Sequence, residues 1–189
     1  FVVRWHKGSP AGKISVENNL KNYVKIDQQG SFIKIHMDSI HNYKMHGDIV
    51  IDVYSSTLNR IQLNDFVRFQ AMDTVQTTAF QILMGDHSEA SLVGHADSVQ
   101  ISLNDLAELQ LKGRSAFTKL VQSDHSECDA EEFQAKDCDA DLQDFSSGKM
   151  KVLNYLKVVC SGHSEFKYSG DSIRVESNER DFGSIEKYF

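Results

Sequence analysis

The sequence predicts an all-β protein: a single-stranded, parallel, right-handed β-helix with a strand-rich N-terminal cap. Two observations carry that prediction, a two-residue hydrophobic alternation and a long-period internal repeat. The alternation is clearest in Ile14–Val16, Tyr23–Ile26, Phe32–Ile35 and Ile49–Val53, runs rich in β-branched residues. Asp27-Gln28-Gln29-Gly30-Ser31 joins the second and third of these and suits a hairpin, being short, polar and glycine-bearing. No window of a dozen residues keeps an i, i+3, i+4, i+7 apolar stripe; Phe117–Val121 comes nearest and is too short and too strand-like. Pro10 is the single proline, so the rest of the chain is free of residues that cannot donate to a ladder.

The repeat decides the architecture. His-Ser-Glu recurs at His87, His125 and His163, in steps of 38 residues. Gln81-Ile82-Leu83, Lys119-Leu120-Val121 and Lys157-Val158-Val159 precede the three copies at the same spacing. Leu63-Asn64-Asp65-Phe66, Leu103-Asn104-Asp105-Leu106 and Leu142-Gln143-Asp144-Phe145 repeat with steps of 40 and 39. Halving the period gives a 19-residue ladder of Leu63, Ile82, Ile101, Leu120 and Val158, with its missing rung at Asp139. A parallel ladder runs Leu92, Leu111, Ala130, Met150 and Tyr168. Self-similarity at a short fixed period marks a solenoid, and rungs made of short β patterns mark a β-helix. A sandwich of short strands gives no reason for His-Ser-Glu to recur at identical spacing. Residues 58–170 hold roughly six coils; residues 1–57 lack the repeat and read as a cap, and residues 171–189 as a closing cap and tail.

Charge narrows the function classes. The chain carries −7, and residues 58–170 alone hold ten Lys/Arg against seventeen Asp/Glu, which argues against nucleic acid as a partner. No stretch approaches the ~18 apolar residues of a spanning helix, so no transmembrane segment is expected. Phe1 opens the chain without a charged-then-apolar leader, so any targeting signal is expected to have been removed. Three cysteines are too few and too odd for a disulfide framework and read as small core residues. Phosphate loops, dinucleotide fingerprints and zinc signatures are missing, and neither a cofactor nor a metal is expected.

Two groups are candidates for binding. With Ser88, Ala90 and Leu92 inward, His87 and Glu89 point outward, and the same parity puts His125 and His163 on one edge. Two coils separate neighbouring imidazoles by ~9–10 Å, with Leu106 and Asp144 expected between them, too far apart to share a zinc ion. The plain reading is solvated turn histidines; the sharper one is an edge that touches a ligand. The second group is Asp137, Asp139 and Asp141, which share one strand face within a stretch of nine carboxylates and a single lysine, Lys136. This is not an EF-hand, because Leu142 stands where that loop needs glycine and Gly148 where it needs glutamate. A solvated face that discourages edge association is the plain reading here.

Several stretches resemble a known family, the putative auto-transporter adhesin head domain, or head GIN domain. They are Glu17–Val24, Gly30–Ile35, Ile49–Val53 with Leu58–Ile61, the turns at Gly85–Ser88, Ser123–Ser126 and Ser161–Ser164, and the ending Phe166–Asp171. The resemblance covers about residues 13–175, with histidine in a turn slot that the family usually fills with small residues. It implies a parallel β-helix in an extracytoplasmic protein, whether secreted, periplasmic or anchored at the outer membrane, and it imports no active site. The function expected is therefore a non-enzymatic surface or envelope binding module, with a surface protein or glycan as partner and self-association into a homo-oligomer as an option. The alternatives are a polysaccharide-acting β-helix enzyme and a lipid- or envelope-associated binding protein.

Overall fold

The structure is a computed structural model and describes residues 1–16, 23–37 and 49–188. Its strands are β1 (Val2–Lys7), β2 (Ala11–Ser15), β3 (Val24–Gln29), β4 (Phe32–Met37), β5 (Val50–Ser55), β6 (Arg60–Leu63), β7 (Arg68–Ala71), β8 (Val75–Met84), β9 (Glu89–Leu103), β10 (Glu108–Gln122), β11 (Glu127–Leu142), β12 (Ser147–Cys160), β13 (Glu165–Ser169), β14 (Arg174–Glu179) and β15 (Ser184–Lys187). From β6 onward every pairing is parallel and joins each coil to the next, giving a solenoid of about seven turns. The stacking runs on past Gly170, because β14 pairs with β12 and β15 with β13.

The interior is a set of columns, each one residue per coil. One runs Ile61, Ile82, Ile101, Leu120, Ala140, Val158. The sequence ladder started this column at Leu63, which in fact pairs with Met84. Its first step is 21 residues rather than 19, so a fixed step overshoots by two and lands on the same inward face. The missing rung is filled by Ala140, one residue past Asp139, because that coil holds an extra residue. The second ladder stands in three of its four steps, with Leu92 on Leu111, Ala130 on Met150 and Met150 on Tyr168, while the step from Leu111 to Ala130 falls where the β10–β11 register shifts.

Parallel stacking places like positions a strand spacing of ~4.8 Å apart, so aliphatic side chains of equal size stack directly, as Ile82 on Ile101, and a large ring needs a small neighbour. Gly148 lies between Cys128 and Phe166. A Cβ there would stand 3.0 Å from the Phe166 ring and 2.8 Å from Gln122 Oε1. Gln122 stands between Leu103 and Leu142 in an otherwise apolar stretch of column and is fully buried. Its amide nitrogen donates to the carbonyls of Ser126 and Ser147 at 3.2 and 2.9 Å, while its Oε1 is buried without a hydrogen-bond partner among the described residues. All three cysteines are buried core residues, as their alternating positions predicted.

The corner between the two strand segments of a coil is where length varies. The β10–β11 register shifts between Gln110 and Gly113, and the β11–β12 register between Ala130 and Gln134. Gly113 adopts φ +118° with its Cα so close to Gly94 that an added Cβ would lie 2.0 Å from the Gly94 carbonyl oxygen. Only glycine fits that approach.

Strands β1 to β5 complete the near end. β1 lies parallel between β7 and β5, extending the stack, and β2 closes it antiparallel on β5. β3 and β4 form the expected hairpin, turning through Gly30 at φ +61°. A second apolar cluster of Val24, Ile49 and Ile51 binds the hairpin to the rod. The family-like stretch Glu17–Asn22 lies outside the described residues.

The columns make sharp predictions. Ile101→Asp places an unpaired charge in the central column and is expected to cost several kcal/mol, enough to abolish the cooperative urea transition. Glu89→Gln is expected to cost at most ~1 kcal/mol, because its ion pair with Arg68 is half-exposed. The Arg68 hydrogen bond holds Glu89 below the usual carboxylate range. The pair's contribution is therefore present above the unfolded value and is lost as pH falls through the folded one. Similar losses in the two variants would show that the inside–outside assignment is wrong. Gly113→Ala should lower the melting temperature far more than Gly12→Ala, whose added Cβ meets nothing nearer than 4.0 Å.

Candidate functional site

Every coil ends in the same four-residue turn. In six of them a backbone N–H closes on the carbonyl three residues earlier, as in Ser88 to Gly85 at 3.2 Å and Ser164 to Ser161 at 3.3 Å. Both central residues have positive φ, from Asp65–Phe66 at 59° and 60° to Asp181–Phe182 at 46° and 68°. Two successive left-handed residues define a type I′ turn, which favours Asn, Asp or Gly at its centre. Aspartate takes the first place in all but the Gly162 turn. The second place is held by Phe66, His87, Leu106, His125, Phe145, His163 and Phe182. A left-handed conformation costs such residues roughly 1–2 kcal/mol each relative to glycine.

Stacked coils bring these seven side chains into one column along the edge of the rod. Phe66 stacks on His87 with centroids 4.7 Å apart and rings 18° from parallel. His125 and His163 lie on opposite faces of Phe145, each centroid 5.0 Å from it, and Phe182 stacks on His163 at 4.8 Å. Leu106 fills the place between His87 and His125, as its spacing predicted. The residue between His125 and His163 was expected to be Asp144 and is Phe145. The coil with the extra corner residue moves the turn by one position, so His125 N–H meets the Asp144 carbonyl and Phe145 N–H meets that of Gly162. The outer members are strongly exposed: Phe66 is 70% and Phe182 83% accessible, and Phe145 and Leu106 are also open to solvent.

The predicted histidines are thus gathered on one edge, but as spaced members of a mixed ring ladder. Sequence reasoning missed Phe66, Phe145 and Phe182. The signal was present: an acid followed by Phe, His or Leu at 65–66, 86–87, 105–106, 124–125, 144–145 and 181–182. His-Ser-Glu and Leu-Asn-Asp-Phe are one turn seen on alternate coils.

Asp137, Asp139 and Asp141 do share the outer face of β11, spaced ~6.6 Å apart along it. Their neighbours differ. Asp139 is flanked on adjacent rungs by Lys119 and Lys157. Asp137 accepts a hydrogen bond from Asn154 Nδ2 at 2.6 Å, and Asp141 one from Gln143 Nε2 at 3.3 Å. Rung lysines and amides therefore relieve the repulsion that the sequence left open. Among the described residues, no three His, Cys, Asp or Glu side chains converge as a metal site would require.

The cysteines offer no ready nucleophile. Burial pushes the Cys128 thiol up to about 12 and Cys160 to about 11, and raises Cys138 strongly as well. All three should resist iodoacetamide at neutral pH in the folded protein and react promptly in urea; rapid labelling of the native protein would contradict this burial. Phe145→Ala removes two ring contacts and should cost about 1–2 kcal/mol in urea unfolding, whereas Leu106→Ala, which removes none, should cost clearly less.

Solved structures share this architecture along the whole chain. A putative adhesin from Bacteroides fragilis NCTC 9343 superposes with a TM-score of 0.93 at 13% identity, covering 99% of this chain and 88% of that one. A putative adhesin from Parabacteroides merdae ATCC 43184 gives 0.77 at 14% identity, covering 100% and 91%. A protein named a putative lipid binding protein, from Parabacteroides distasonis ATCC 8503, gives 0.74 at 18% identity over 100% and 91%. At such identities the likeness is one of fold. An uncharacterized protein of Acanthamoeba polyphaga mimivirus is 28% identical over 89 residues, 47% of this chain and 61% of that protein. The family model described as "Putative auto-transporter adhesin, head GIN domain" matches residues 6–172, and the chain belongs to that family.

Proposed function

We propose that this chain is a non-enzymatic, extracytoplasmic binding module that meets its partner along the ring-bearing edge. The observation that carries this reading is the exposed ladder from Phe66 to Phe182. Glycine or asparagine would relax each turn, yet rings and leucine stand there at positive φ and face solvent. Strained backbone together with exposed apolar surface is the combination found where a protein meets something else. The interior columns are filled by packed side chains, which directs binding to the outside of the rod. The family's name implies an extracellular or surface location, and a rigid rod secreted, held in the periplasm or anchored at the outer membrane suits that setting. Rings flanked by a column of aspartates favour surface proteins and glycans over nucleic acid.

The test is binding of the chain to an array of immobilised surface proteins and glycans, repeated with two edge variants. His87→Ser/His125→Ser/His163→Ser and Phe66→Ser/Phe145→Ser are each expected to keep the cooperative melt and to weaken binding at least ~10-fold, the equivalent of ~1.4 kcal/mol. Unchanged binding in both variants would remove the edge from the reading. Turnover of a polysaccharide by the parent protein would overturn the non-enzymatic assignment.

A further inference from the structure

A second surface lies on the outer face of the other strand segment, away from the turns. One residue per rung builds a column of Ala79, Ser98, Phe117, Asp137, Tyr155 and Arg174. Bulk appears abruptly at Phe117, and an open hollow forms there between Phe117, Asp137, Asn154, Tyr155 and Arg174. Phe117 and Tyr155 are two rungs apart, ~9.6 Å, with the carboxylate of Asp137 on the rung between them.

The groups around the hollow are fixed before any ligand arrives. Tyr155 donates its hydroxyl hydrogen bond to Glu176 Oε2 at 2.8 Å. The Arg174 guanidinium stands over the Tyr155 ring at 5.5 Å and is itself tied to the other oxygen of Glu176. Asn154 Nδ2 holds Asp137 Oδ1, leaving Asp137 Oδ2 and Asn154 Oδ1 without a partner among the described residues. Two aromatic side chains thus flank a pair of open acceptors.

The electrostatics select the ligand. Glu176 neutralises Arg174, so among the groups lining the hollow the Asp137 carboxylate is the charge left over, while Lys119, Asp139 and Lys157 stand two residues further along the same face. A phosphate, a sulfate or a uronic acid set against Asp137 would be repelled by its carboxylate. Vicinal hydroxyls would be welcomed, one donating a charge-assisted hydrogen bond to Asp137 Oδ2 and the next a neutral one to Asn154 Oδ1. The apolar C–H face of a sugar ring covers an aromatic side chain, which contributes contact area with little conformational entropy to lose. We propose that this hollow is a seat for a neutral oligosaccharide, with hydroxyls on Asp137 and Asn154 and sugar rings against Phe117 and Tyr155. The site rests on the reading of the rod as a binding module but uses a different face from the ring ladder.

The experiment is a titration of the ¹⁵N-labelled chain with four neutral probes, cellohexaose, maltohexaose, mannohexaose and chitohexaose, and one acidic probe, hexagalacturonate. At least one neutral probe is expected to shift the amides of Phe117, Asp137, Asn154 and Tyr155 in a saturable way, with hexagalacturonate causing far smaller shifts. Phe117→Ala and the near-isosteric Asp137→Asn should each weaken that binding about tenfold or more. The second variant guards against a mere folding defect. No saturable shift with any neutral probe, equal binding by Asp137→Asn and Phe117→Ala, or preference for the acidic probe would overturn the proposal. Binding lost only in the turn-edge variants would move the sugar to the ring ladder, removing this seat while leaving the broader function standing.

Discussion

Parallel backbone pairing at a spacing of ~4.8 Å governs everything else in this molecule. Once β9, β10, β11 and β12 pair in parallel, each side chain lies directly above its counterpart in the neighbouring coil, inside and out. Inside, that rule stacks aliphatic on aliphatic, as in Ile82 and Ile101, and requires a small partner where a ring enters, as with Gly148 beneath Phe166. Outside, the same rule turns any residue repeated once per coil into a continuous stripe. The ring ladder, the aspartate column beside it and the Phe117–Arg174 column are all results of this one constraint.

The stripes differ in how the backbone presents them. On strand faces the side chains stand on extended backbone that costs nothing special, and partners are drawn from neighbouring rungs, as with Lys119, Asp139 and Lys157. At the turns the side chains stand on left-handed backbone, and each ring there sits against the local preference for glycine. Ring-on-ring contacts return part of that cost, roughly 0.5–1.5 kcal/mol per pair. The ladder is a compromise between turn strain and stacking, and stacking exists only because the turns are in register.

Much of the fold was legible because two-residue alternation and a 19-residue period are both direct consequences of the backbone geometry. Ile82, Ile101 and Leu120 could be placed on one column from spacing alone, and the inward place of Ser88, Ala90 and Leu92 followed from parity. What spacing could not carry was coil length. The 21-residue first step misplaced Leu63, and the longer coil between His125 and Phe145 put Asp144 where the phenyl ring stands. The aromatic members of the edge were hidden for a different reason. Phe, His and Leu share a turn position without sharing chemistry, so a search for recurring identical triplets separated what the turn unites. Asp137 was found as part of an acidic row, but its pairing with Asn154 and its place between Phe117 and Tyr155 depend on cross-rung register, which no linear motif encodes.

The extra residue in the coil around Glu131 and Glu132 shows where this architecture is elastic. The insertion is absorbed at the corner: the register slips there, Lys112 reaches across to Glu132, and the next turn still closes on its neighbour through Phe145. Sequence length is therefore decoupled from edge geometry. That corner can be lengthened into a loop carrying a new epitope without shifting a ring on the far side, whereas one residue added within a turn would break that turn's own hydrogen-bonded closure and displace its ring from the ladder. Length can change at that corner while the turns stay in register, so a longer corner leaves the ring edge superimposable.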